Sequence, residues 1–109
     1  MKVVLSAAAQ NDLDRIGGHI ARYSPERALS FLTALRRSCS SLRDMPFAFP
    51  LVPRYERLGI RRKVHGNYLI FYQVAEQTVE ILHILNGAMD YEGVLFPEDD
   101  ERDSSFHSE

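Results

Sequence analysis

The sequence predicts an α+β domain in which an antiparallel helical hairpin covers one face of a largely antiparallel sheet. Three observations predict it. Apolar residues recur at helical spacing over residues 9–20 and again over 28–42. From Leu58 onward the period becomes two, and the most β-prone run of the chain occupies residues 68–74. Turn signals at residues 66–67, 75–77 and 86–87 cut that second half into three strands. The chain has 109 residues, which fits one core without metal or disulfide staples.

Taken in order, Val3, Val4 and Leu5 read as a short N-terminal strand. Ser6 follows as a helix N-cap, its hydroxyl placed to accept a free N–H of the first turn. Ala9, Leu13, Ile16 and Ile20, at spacings of four, three and four, form the apolar face of a helix to about Tyr23. Asp12 and Asp14 near its start are accounted for by the positive end of the helix dipole. Gly17 and Gly18 inside it cost about 1 kcal/mol each relative to Ala. Close approach of a neighbouring helix and a hinge are the two explanations for the pair.

Ser24-Pro25-Glu26 restarts a helix: a cap, a proline at the first helical position and an acid at the positive dipole end. Ala28, Phe31, Leu32, Leu35, Cys39 and Leu42 carry its stripe to about Asp44, where Met45-Pro46 stops it. So short a turn makes the two helices an antiparallel pair. Cys39 lies on the stripe and reads as a buried, inert thiol. Pro46, Pro50 and Pro53 punctuate a loop whose Phe47, Phe49 and Leu51 place part of it on the core. Leu58, Ile60 and Val64 then alternate with Gly59, Arg61, Lys63 and His65. Gly66-Asn67 suits a II′ hairpin, residues 68–74 are apolar on both faces as a central strand is, and residues 78–85 form the last strand.

The net charge of -2 conceals a division. Residues 97–109 hold six acids and one Arg, a local -5, which leaves +3 on residues 1–96. The first segment has almost nothing to bury and reads as an acidic, disordered tail on a 1–96 domain. Within the domain, Arg54, Arg57, Arg61, Arg62 and Lys63 face Glu56 alone. Such a cluster binds phosphate or an acidic partner, or keeps a sheet edge solvated. Arg61, Lys63 and His65 should share one strand face. One cysteine excludes an internal disulfide and a cysteine-built metal site. Zinc-ligand spacing, a Ser/His/Asp arrangement, a phosphate loop and a dinucleotide fingerprint are absent, so no cofactor or metal is expected. No apolar run has the length of a signal peptide or a membrane span, and the expected location is the cytoplasm.

Ala-x-x-Asp-Leu-x-x-Ile at residues 9–16 and Ser-Pro-Glu-Arg-Ala at 24–28 resemble the helical half of the ParE/RelE toxin superfamily. Leu42 with Pro46, Gly59-Ile60-Arg61, Tyr68-x-Ile70-Phe71-Tyr72 and the run from Ile84 to Tyr91 continue the resemblance in order. Together they resemble the ParE-type branch over nearly all of residues 3–96. The resemblance implies the toxin of a type II toxin–antitoxin pair, acting on DNA gyrase and neutralised in a hetero-oligomer by a ParD-like antitoxin. On that reading no catalytic residue is expected, and Arg54, Arg57, Arg61, Arg62, Lys63 and His65 bind target or antitoxin. The other branch implies a ribosome-dependent mRNA endonuclease, for which Arg61, Lys63, His83 and Tyr91 are the candidates. Along its strand His83 should point the same way as Val79, Ile81 and Leu85, which favours packing over catalysis. Where the RNase members tend to place Arg, His or Tyr after the last strand, this chain has Asn86-Gly87-Ala88-Met89. Asn86 also departs from the His frequent in the ParE-type pattern.

Overall fold

A computed structural model describes residues 1–95, so the acidic segment at 97–109 and the domain limit at 96 lie outside the described residues. The order is β1 (Lys2–Leu5), α1 (Ala7–Ala21), α2 (Pro25–Ser40), β2 (Arg61–His65), β3 (Tyr68–Ala75), β4 (Thr78–Asn86) and a short α3 (Tyr91–Leu95). The four strands form one sheet in the order β1-β4-β3-β2. The meander β2-β3-β4 is antiparallel, and β1 adds to β4 in parallel. α1 and α2 pack on one face over Leu13, Leu35, Leu42, Ile70, Tyr72 and Ile81, all essentially inaccessible. A smaller core lies on the opposite face, where Val52, Ile60, Leu69, Phe71 and Leu85 are covered by Tyr55, Tyr91 and Leu95.

The helix starts follow the chemistry of their caps. Ser6 Oγ accepts from Ala9 N at 3.0 Å and Ser24 Oγ from Arg27 N at 3.2 Å, with Pro25 in the first turn. The second helix ends at Ser40 and tightens into a 3-10 turn over Ser41–Arg43 before Pro46. The glycine pair divides: a Cβ on Gly17 would sit 2.6 Å from Leu32 Cδ1 of α2, whereas one on Gly18 meets nothing within 4 Å. Helix approach therefore explains Gly17 alone. In the β2–β3 turn Gly66 takes φ 59 and Asn67 does not go positive, the sign pattern of a II′ turn.

Three expectations need correction. The alternation does not begin at Leu58, which sits half exposed in a 3-10 turn over Glu56–Leu58; Gly59, at φ 70, then redirects the chain before β2. A bulge breaks the alternation along β4: Phe71 pairs with His83 but Tyr72 with Ile81, leaving Leu82 as the extra residue. His83 therefore does not continue the face of Val79 and Ile81, and Leu85 packs in the core on the other side of the sheet. The third correction concerns Asp12. It lies beyond the first turn of α1 and is 3% exposed, the one buried charged side chain among the described residues. What it satisfies is the sheet. β1 ends at Leu5 opposite Ile81, so the outer edge of β4 beyond that point lacks a strand partner. Residues entering and lining α1 supply one: Ser6 N donates to Ile81 O, Ser6 Oγ to Leu82 O, and Asp12 Oδ2 accepts Ile84 N at 2.8 Å.

Candidate interaction surface

The predicted basic cluster is assembled from β2 and the proline-punctuated loop before it, and the pleat of β2 divides it in two. Directly opposed residues of an antiparallel pair share a face. Arg61 opposes Tyr72, Lys63 opposes Ile70 and His65 opposes Tyr68, so all three project towards the helices. They do share a face, and it is the face α2 covers. Arg61 donates to Phe49 O at 2.7 Å and lies over the Phe47 ring. Lys63 Nζ donates to Ser38 O at 2.8 Å and Ser41 Oγ at 2.9 Å, and lies over Phe49. Ser38 is in the last turn of α2, where unpaired carbonyls and the negative dipole end favour a cation. Burial lowers the Lys63 ammonium from its ordinary value. His65 meets the Phe31 ring edge-on. Arg61 and Lys63 thus clamp the end of α2 and the following loop to the sheet.

Arg62 faces the other way, opposite Phe71, with Nη1 at 3.5 Å from the Tyr91 hydroxyl. Arg54, at φ 79, reaches Glu92 of α3 at 3.4 Å, an exposed pair of small energetic weight. Arg57 is exposed and makes no ion pair among the described residues. Arg62 N donates to Pro50 O and Val52 N to Ile60 O, so the loop shields the start of the outer edge of β2. Val64, near the other end of that strand, is 62% exposed.

The four ribonuclease candidates do not converge. Arg61 and Lys63 lie on the helix side of the sheet, while Tyr91 packs on Phe71 on the opposite side. His83 is drawn to α1, its Nδ1 2.8 Å from Asp12 Oδ2. Asp12 Oδ1 accepts from Arg15 Nη2, also at 2.8 Å. One carboxylate thus holds a backbone N–H, an imidazole and a guanidinium. Sequence reasoning missed this network because Asp12 and Arg15 come from α1 and His83 and Ile84 from the strand just after a bulge, and a bulge leaves no mark in a period-two pattern. Among the described residues no group of His, Cys, Asp and Glu could hold a metal ion. No helix among them is long and apolar enough to cross a membrane.

A helical hairpin on a small mixed sheet, with basic side chains fastening the two layers, defines a compact α+β protein offering exposed helix and strand surfaces rather than a deep polar site. The family model for the ParE toxin of the type II toxin–antitoxin system parDE matches residues 3–91, and the chain belongs to that family. A solved structure of the chromosomal ParDE toxin–antitoxin system from P. aeruginosa has the same fold, with a TM-score of 0.68 and 22% identity over 79% of this chain and 95% of that one. Comparison with curated proteins gave no match.

Proposed function

We propose that this ParE-family toxin acts by binding, with DNA gyrase as its target and a ParD-like antitoxin as its neutralising partner, and that it is not an enzyme. The observation that carries this reading is the division of the ribonuclease candidates. Cleavage of RNA without metal needs a base, an acid and phosphate-binding cations around one phosphodiester. Here the sheet separates Arg61 and Lys63 from Tyr91, and the two cations already serve main-chain carbonyls.

The antitoxin reading rests on what remains exposed. Leu29 on α2 and Phe47 in the following loop are large apolar groups 70% and 62% exposed, and Arg61 lies over the Phe47 ring. A partner segment that lays a helix on the outer hairpin and runs acidic residues past Arg54 and Arg57 would cover both kinds of surface. A complex in which the antitoxin touched only residues 97–109 would contradict this.

Controlled expression without antitoxin separates the target classes. Filamentation with DNA-damage signalling is the expected outcome. Arrest of translation with ribosome-dependent mRNA cuts would instead establish the endonuclease reading.

A further inference from the structure

We infer that a cleft between α1 and the end of β4 binds single-stranded nucleic acid, phosphates on Arg15 and Arg22 and a base on Tyr23. This inference goes beyond the proposed target and does not depend on gyrase.

Two adjoining hollows of about 340 and 260 Å³ run along α1 and share Arg15 and Met89. The second is also lined by His19, Arg22, Tyr68 and Asn86. Arg15, His19 and Arg22 follow one another at helical spacing, so a single edge of α1 presents all three. Asp12 is the one carboxylate lining either hollow. It is held by Ile84 N and His83, and it engages Arg15 through Nη2 alone. Arg22 has no ion-pair or hydrogen-bond partner for its side chain among the described residues, in contrast to Arg61 and Lys63. Asn86 Oδ1 already accepts from Ala88 N, which leaves its amide as a donor towards the cleft. The floor of the cleft is largely apolar, with Leu85, Ile84 and Met89, but its polar groups are mainly donors and cations, so the complement of that polar edge is an anion.

The kind of anion follows from Tyr23. Its ring is 81% exposed at the end of the same helix edge, steadied by an edge-on contact with His19 at 5.9 Å. A water-exposed aromatic ring beside arginines is a stacking platform for an unpaired base, sequence-tolerant because every base has a π face. Arg15 and Arg22, seven residues apart, are separated by roughly 10 Å along the axis. That spacing suits successive phosphates of one strand better than the single phosphate of a mononucleotide.

The test is fluorescence anisotropy of the full chain with a labelled 12-nucleotide single strand, as DNA and as RNA of the same sequence. A dissociation constant of about 1–100 µM at low salt is expected, weakening as salt is added. Arg22→Gln should lower the salt slope by about one and Tyr23→Ala the affinity by about tenfold. Arg37→Gln, an equal charge loss on α2, should change affinity less than twofold. Circular dichroism confirms that each variant folds. Binding by either sugar type with this ranking supports the inference. Equal losses in Arg22→Gln and Arg37→Gln would overturn it, because the attraction would then be diffuse. So would a failure of both oligonucleotides to bind while a peptide of residues 97–109 does, which would make the cleft an acidic-peptide site.

Discussion

Asp12 shows how one side chain can tie a helix to a sheet edge. Truncation in Asp12→Ala would leave Ile84 N–H buried without a partner and remove the acceptor shared by His83 and Arg15. Removing such an acceptor costs about 2–4 kcal/mol, so the urea midpoint should fall markedly. Asp12→Asn keeps one acceptor for Ile84 N and should cost about half as much. Equal and small losses in both variants would show that the edge is not held this way. Cys39 gives a second residue-level prediction. Burial raises its thiol from 9.0 to about 11. The unfolded chain thus ionises near pH 9 while the folded chain stays neutral, so the thiol's contribution is intact below that value and declines as pH rises towards 11. The stability gap between wild type and Cys39→Ala should shrink by about 2–3 kcal/mol across that interval. Comparison with the variant cancels Tyr72, whose phenol burial also raises. The inert thiol was legible from its place on the α2 stripe. The role of Asp12 was not, because a carboxylate five residues into a helix looks the same whether it faces water or a strand edge.

At the scale of elements, local chemistry decided most of the outcome. Ser6, Ser24, Pro25 and the Gly66-Asn67 turn each act as their residue types require. The glycine pair offers a paired test. Gly18→Ala adds a methyl group in open space within α1 and should stabilise by about 0.5–1 kcal/mol, read as a higher thermal midpoint. Gly17→Ala must displace Leu32 Cδ1 from the hairpin interface and should gain nothing. Identical gains would mean that the two helices are not closely apposed at Gly17. The parts less legible in the sequence are those where two elements meet. The basic cluster was readable as charge, and even its shared strand face was readable from the alternation. That the face lies beneath α2 depends on which side the hairpin covers, and the local pattern carries no such information. The Arg15–His19–Arg22 edge was not singled out from the sequence, because such a spacing on the polar side of α1 reads as a solvated helix face until the cleft beside it is seen.

Across the whole molecule, the two cores and the two kinds of cation describe a division of labour. Arg61, Lys63 and Arg62 join layers, the first two beneath the helices and the third towards α3. Arg22 and Arg57 remain available to a partner among the described residues. A fold so arranged is suited to recognition over extended surfaces, in keeping with membership of the ParE toxin family over residues 3–91. The most direct measurement of the proposed action is a plasmid supercoiling assay with purified gyrase and the purified full chain. The account predicts loss of supercoiling with accumulation of cleaved plasmid, reversed by cognate antitoxin. Undisturbed supercoiling and no cleaved plasmid at a large molar excess of properly folded toxin would contradict it.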